Sequence, residues 1–460
     1  MRTGEAIPRM MPLETSGSPE TGMRLLLTAL IAFFVIQDVF DLSLSLGPGM
    51  SAKNALLYVI AGALAFKISM QHSFTFELRA LHVCFVVLIT YALFSFLAAK
   101  FLVNYEHYNF VASGIRLKAT LVDRAILFLV FFYALRDSRN AYSILKVLLL
   151  AVALAHVIAV LNGLGLMQTG QMGENENERV QGLMGEPNQD AAFGALFLPA
   201  LGVAMFMTKG ARRFPWIIGL LATMAAVAMT ASRGGIVDIV LSGIWGAVLL
   251  RRYIPFQRLM AIGVGSIVIS ALAIAAVLPF YGDLLYRRII GDSSVGDVAV
   301  ASSGRTEIWS TAIATMADTP ITLVTGFGWA VYFAMPFRYA PHNYYLDLWF
   351  NLGLAGLVAG TMMLVIVTRE SLGAVRSAHP LYQPHLMAFA VGTIAVAIAT
   401  FFVDLYTPWL WFWAYAGLIL RIAVNAKRDA NAKSASQVKS KRADPYGWMG
   451  QQNVGGGALT

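Results

Sequence analysis

Apolar stretches separated by short polar breaks run along almost the whole chain. A helix needs about 20 apolar residues to cross ~30 Å of hydrocarbon. Such stretches fall near 24–43, 53–70, 80–101, 120–136, 142–165, 190–207, 215–231, 234–250, 258–281, 343–368, 384–403 and 406–424. The pattern predicts an all-α polytopic membrane protein of about 12 transmembrane helices. Only Asp404, Leu405, Tyr406 and Thr407 part the last two stretches. One break is long, a polar excursion over 282–342 ahead of the tenth span. Inside it, Ile308, Trp309, Ala312, Ile313 and Met316 recur on one face between Gly304 and Asp318. Ser302 or Ser303 is placed to cap that helix and Pro320 to stop it, so a large outer loop carrying a short helix is expected.

Composition agrees with this pattern. Fifty-eight per cent of residues are hydrophobic and 13% charged, with a mean hydropathy of +0.66. So apolar a surface belongs in a bilayer. Residues 1–425 read as a single transmembrane domain, and 426–460, basic then Gly-rich, as a disordered cytoplasmic tail. The polar first 22 residues and the lack of a small-residue cleavage site make 24–43 a retained helix. The net charge of +9 reads as positive-inside bias plus the basic tail, with no nucleic-acid partner implied. With an even number of spans, most of the 34 Lys and Arg fall on one side, which places both termini in the cytoplasm. Cys84 is the single cysteine, so neither an intrachain disulfide nor a Cys-based metal site is possible. No P-loop, HExxH or carboxylate cluster with metal spacing occurs, and the halves show no internal repeat.

Arginines on the outer side run against the charge bias and call for a reason. Arg233 lies in TASRGG, where Gly234 and Gly235 clear the space beside its guanidinium. A planar guanidinium grips phosphate oxygens as a fork; an arginine reaching lipid headgroups is the plain alternative. Arg305 stands in the first turn of the loop helix, where the helix dipole does not favour a cation; a solvated loop charge is its alternative. His342 follows Pro341 and precedes Asn343, a residue suited to cap the tenth span. There it can take a proton near neutral pH, or simply satisfy the helix end. Arg116 and Arg124 are further candidates, and Asp347 would orient a ring or bond a neighbouring span. Asp38 and Asp41, near the end of the first span, are open to either a functional or an interfacial role. Tyr105, Tyr108 and Phe110 read as an aromatic belt, Gly353, Gly356 and Gly360 as a helix-packing stripe, and His82 and His156 as packed within the bundle.

Four stretches in this order, GLMGEPNQDAAFGALFLPAL (182–201), TASRGG (230–235), SSGRTEIW (302–309) and PHNYYLDLWFNLGLAG (341–356), resemble the O-antigen ligase and O-antigen polymerase superfamily. The resemblance covers roughly 180–360. It implies a metal-independent, cofactor-free glycosyltransferase of the bacterial inner membrane. Such an enzyme takes a glycan from an undecaprenyl-diphosphate carrier on the periplasmic face. The acceptor hydroxyl lies on lipid A core in ligases and on a second lipid-linked glycan in polymerases, as in exopolysaccharide synthesis. Carried over, Arg233 and Arg305 would hold the diphosphate and His342 would act as base. Two other classes compete, a transporter or flippase and a non-catalytic partner in polysaccharide export. Candidate charges at span ends rather than mid-membrane, and the missing repeat, weigh against transport.

Overall fold

The computed structural model describes residues 20–40, 42, 44–70, 75–167, 184–288 and 304–443. Its helices are α1 (Glu20–Phe34), α2 (Ala52–Ser69), α3 (Arg79–Phe101), α4 (Phe110–Leu117), α5 (Asp123–Tyr133), α6 (Ser138–Gly163), α7 (Pro187–Met207), α8 (Phe214–Met229) and α9 (Arg233–Leu250). They continue with α10 (Phe256–Tyr286), α11 (Arg305–Asp318), α12 (Ile321–Thr325), α13 (Tyr344–Ala374), α14 (Gln383–Ala399) and α15 (Thr407–Ala443). A two-stranded hairpin, Ser45–Gly47 with Met50–Ser51, links α1 to α2. The chain is an all-α, multi-pass membrane protein.

Ten helices among the described residues are long and apolar enough to cross a bilayer, against the twelve expected. The other two expected spans differ for physical reasons. α14 is apolar but only 17 residues long, or about 26 Å of helix. The expected span at 120–136 belongs to a helical stretch interrupted by the π turn Lys118–Val122, where Lys118, Asp123 and Arg124 break the apolar run.

α15 forms the centre. Trp409, Trp411, Phe412, Tyr415, Leu418 and Ile419 are all buried, packed against α5, α6 and α13. α9 and α10 instead turn apolar side chains such as Val240, Trp245, Ile267 and Leu272 outward, as lipid-facing helices do. Residues 426–443, read from the sequence as the start of a disordered tail, are helical; 444–460 lie outside the described residues.

α13 is not one straight span. Gly353, at φ 59° and ψ −160°, breaks it, and the two parts fold against each other. A Cβ on Gly360 would lie 2.3 Å from Leu348 Cδ1 and 3.0 Å from Tyr344 Oη. The small residues therefore serve packing, as expected, but within the chain's own hairpin. At the break the freed backbone pairs with the preceding loop: Phe327 N–H donates to Phe350 O (2.8 Å) and Gly328 N–H to Asn351 O (3.2 Å). A Cβ on Gly353 would sit 2.0 Å from Val324 O, so only glycine fits.

The same loop corrects the aromatic-belt reading. Tyr105 Oη donates to Phe327 O (3.0 Å) and Tyr108 Oη to Trp329 O (2.7 Å), while Phe110 stacks on Phe96 at 4.3 Å. Two of these aromatics clamp the loop ahead of α13, and the third packs on α3. His156 stacks on Phe193 at 5.1 Å, and His82 bonds Leu78 O through Nδ1, so both are packing residues. Asp38 pairs with Lys53 at 2.5 Å and accepts from Trp411 Nε1, which ties α1, α2 and α15 together. Asp41, Ser302 and Ser303 lie outside the described residues; α11 begins after Gly304, at φ 77°.

Candidate functional site

The site begins at helix termini that meet at one end of the bundle. Ser232 caps α9: its Oγ accepts from Gly235 N–H (3.1 Å) and donates to Asn188 Oδ1 (2.8 Å). Ala231, at φ 47°, makes the turn between α8 and α9 tight and sets Arg233 as the first residue of α9. Glu186, just ahead of α7, accepts from Asn188 Nδ2 (2.8 Å) and Gln189 Nε2 (3.3 Å). Gln189 Oε1 in turn accepts Tyr406 N–H at 2.9 Å. The termini of α7, α9 and α15 are thus joined by one polar network.

His342 enters from the loop before α13, at φ 49°. That region is costly for a non-glycine residue and persists only where the surroundings impose it. Here they do: Asn343 Oδ1 caps Tyr345 N and Leu346 N, and Trp309 Nε1 of α11 donates to Pro341 O at 2.6 Å. This last bond ties the helix that carries Arg305 to the loop that carries His342. His342 Nδ1 faces Asp404 Oδ2 at 4.0 Å, with side chains 46% and 8% exposed.

Electrostatics bind the remaining members. Burial pushes the Arg305 guanidinium below its usual range, Glu186 opposing this and Arg233 adding to it. His342 is pushed below 6.5 by burial, with Glu186 opposing and Arg305 reinforcing. Burial beside Asp347 holds the Asp404 carboxyl above the usual carboxylate range, against the pull of Arg116. Arg116 donates to Tyr406 Oη (3.0 Å) and lies 5.1 Å from the ring centres of Tyr332 and Phe333. Arg124 is buried and donates to Leu405 O at 3.1 Å.

Arg305 therefore sits within electrostatic reach of Arg233, Glu186 and Asp404, and His342 within reach of Arg305, Arg116 and Glu186. Asp347 accepts from Asn351 Nδ2 at 2.9 Å and acts on the His342 imidazole through its charge, while Asp404 stands 4.0 Å from Nδ1. Sequence reasoning missed Asp404 and Tyr406. Their signal was a carboxylate and a phenol in the four-residue link between the last two spans. It also passed over Asp238, a fully buried carboxylate on α9.

Such an arrangement suits an anion with two negative groups, held by guanidiniums that have lost much of their hydration, beside an imidazole that is neutral near pH 7. The family described as O-antigen ligase matches residues 217–359, a stretch that includes Arg233, Arg305, His342 and Asp347 but not Arg116, Glu186 or Asp404. No curated protein matches the chain.

Proposed function

We propose, on the premise of the match of residues 217–359 to the family described as O-antigen ligase, that the chain moves a glycan from an undecaprenyl-diphosphate carrier to an acceptor sugar hydroxyl at the periplasmic face of the bacterial inner membrane. The observation that carries this reading is the convergence of Arg233, Arg305 and His342, from α9, α11 and the loop before α13, around Glu186 and Asp404.

In this reading Arg233 and Arg305 hold the diphosphate. His342 takes the proton from the acceptor O–H as the oxygen bonds to the anomeric carbon. The bond from that carbon to the phosphate oxygen breaks, and its electron pair leaves with the diphosphate. Guanidiniums fixed where charge develops stabilise it by a few kcal/mol, about 3 per lost donor in comparable sites. A positioned base adds roughly a hundred- to ten-thousand-fold in rate. With Nδ1 turned toward Asp404, Nε2 is the nitrogen left to meet the acceptor, and the carboxyl lies where the imidazolium would form. Arg116, held on three aromatic rings, supports Asp404 and Tyr406 from behind.

The acceptor is either lipid A core, as in a ligase, or a second lipid-linked glycan, as in a polymerase. The test is a purified reaction in which undecaprenyl-diphosphate glycan is mixed with one acceptor or the other. A product in one mixture alone assigns the acceptor. Transfer that persists in Arg233→Ala, Arg305→Ala and His342→Ala variants would remove the proposed chemistry.

A further inference from the structure

At the end of the bundle away from the site, four arginines gather around one tyrosine. Tyr253, in the link between α9 and α10, donates through Oη to Leu372 O in the last turn of α13 (3.2 Å). The Arg376 guanidinium stands over its ring, 5.8 Å from the centre. Arg251 and Arg252 precede Tyr253 in the chain, and Arg369 lies one turn before Leu372 on the same face of α13. All four arginines are exposed. The Tyr253 bond thus fixes where their charges collect.

Nothing acidic answers this charge. Glu370, next to Arg369 in the chain, is paired with Lys427 at 2.6 Å, and among the described residues no carboxylate pairs with any of the four arginines. One cation at each helix end would answer the C-terminal dipoles of α9 and α13; four held together exceed that need. Apolar surface adjoins them. Trp245 and Val248 on α9, and Val365 on α13, one turn before Arg369, are exposed. Concentrated positive charge continuous with lipid-facing side chains fits an amphiphile with an anionic head.

We infer that the link Arg251–Arg252–Tyr253 and the last turn of α13 form a binding site for an anionic phospholipid, its phosphate held by the guanidiniums and its acyl chains lying along the exposed faces of α9 and α13. The guanidinium fork matches phosphate oxygens. Free phosphate shares the head chemistry but has no chain to lay against Val248 or Val365. A zwitterionic lipid has the chains without the net charge. The site is separate from the one proposed for glycan transfer and does not depend on that reading.

The test uses the full-length protein in phosphatidylcholine nanodiscs, with Trp245 as reporter because it is 56% exposed and about 9 Å along α9 from Arg251. Its fluorescence is taken as the difference between each protein and its Trp245→Phe counterpart. Nanodiscs carry increasing shares of phosphatidylglycerol brominated on its acyl chains or, in parallel, of brominated phosphatidylcholine. Half-maximal quenching by the anionic lipid is expected at about a tenth of the share that the zwitterionic one needs. An arginine near a membrane surface contributes about fivefold, so Arg252→Ala with Arg369→Ala is expected to abolish the difference. Either change alone is expected to narrow it, which supplies the comparison if the double variant does not fold. Arg212→Ala with Arg213→Ala, a basic pair at the same end on the α7–α8 link, is expected to keep it. Equal quenching by the two lipids, quenching by neither, a preference that survives loss of Arg252 and Arg369, or one lost equally without Arg212 and Arg213 would overturn the site. Inorganic phosphate that removes the preference at constant ionic strength would assign the arginines to a free anion and overturn the lipid.

Discussion

Replacing His342 is the sharpest probe at the scale of single residues. His342→Ala is expected to lower the transfer rate by roughly a hundred- to ten-thousand-fold, with the protein still folded, because the imidazole is nearly half exposed. The pH dependence follows from the direction of its shift. A base must be unprotonated, and burial moves the His342 pKa below 6.5. Activity is therefore expected to hold through pH 6.5 and to fall only at lower pH, read from kcat/KM in a buffer series. Asp404→Asn removes the carboxyl facing Nδ1; burial beside Asp347 holds that carboxyl above the usual carboxylate range, so it carries little charge where His342 titrates and the acid limb is expected to stay in place. A limb that moved lower in this variant would show an ionised Asp404 beside the imidazole. Arg233, Arg305 and His342 were legible as candidates because cations on the side expected to face outward stand out against an apolar chain. Asp404 was not, because its role depends on a partner 62 positions away in the sequence, and no local pattern encodes that distance.

Helices were legible from their apolar runs, but their interruptions were not. The break in α13 depends on one backbone angle at Gly353, and in the sequence this residue looks like any other member of a small-residue stripe. Gly353→Ala is expected to destabilise the fold by at least 1–3 kcal/mol, the usual cost of a side chain in a left-handed conformation, with more from the clash at Val324 O. A lower melting temperature in detergent, measured beside a Gly202→Ala control whose Cβ meets nothing within 4 Å, would check it. The aromatic segment ahead of α4 was misread for a related reason. Tyrosine at a membrane boundary looks the same whether it faces headgroups or a carbonyl. Tyr105→Phe and Tyr108→Phe each delete one loop anchor. Each is expected to cost about 1 kcal/mol and to raise protease cleavage within 320–340, with the double variant losing more than either alone.

Across the whole molecule, the two ends of the bundle hold different chemistry. At the end opposite the site, Arg421 donates to Glu77 at 2.7 Å and to Phe132 O, and Lys427 pairs with Glu370 at 2.6 Å. These fasten α15 to α5 and α13. Removing one partner of a buried pair typically costs about 3–5 kcal/mol, and the Arg421–Glu77 pair is largely buried. Glu77→Ala is therefore expected to lower expression and thermal stability while leaving the pH profile of any surviving activity unchanged. Multi-pass architecture was readable from hydropathy alone, whereas the order in which helices surround α15 was not. That order is set by which apolar faces pack together, and lipid-facing and protein-facing surfaces are equally apolar in the sequence.

The hydrogen bond from Trp309 to the carbonyl of Pro341 has a further consequence. It yokes the segment bearing Arg305, proposed to grip phosphate, to the segment bearing His342, the proposed proton acceptor, whereas Arg233 is rooted in the bundle. Swinging the outer segment away would withdraw both groups at once, leaving an unloaded enzyme with no aimed base and hence little idle hydrolysis. Trp309→Phe would uncouple the pair, and wasteful release of free glycan into water is the expected sign.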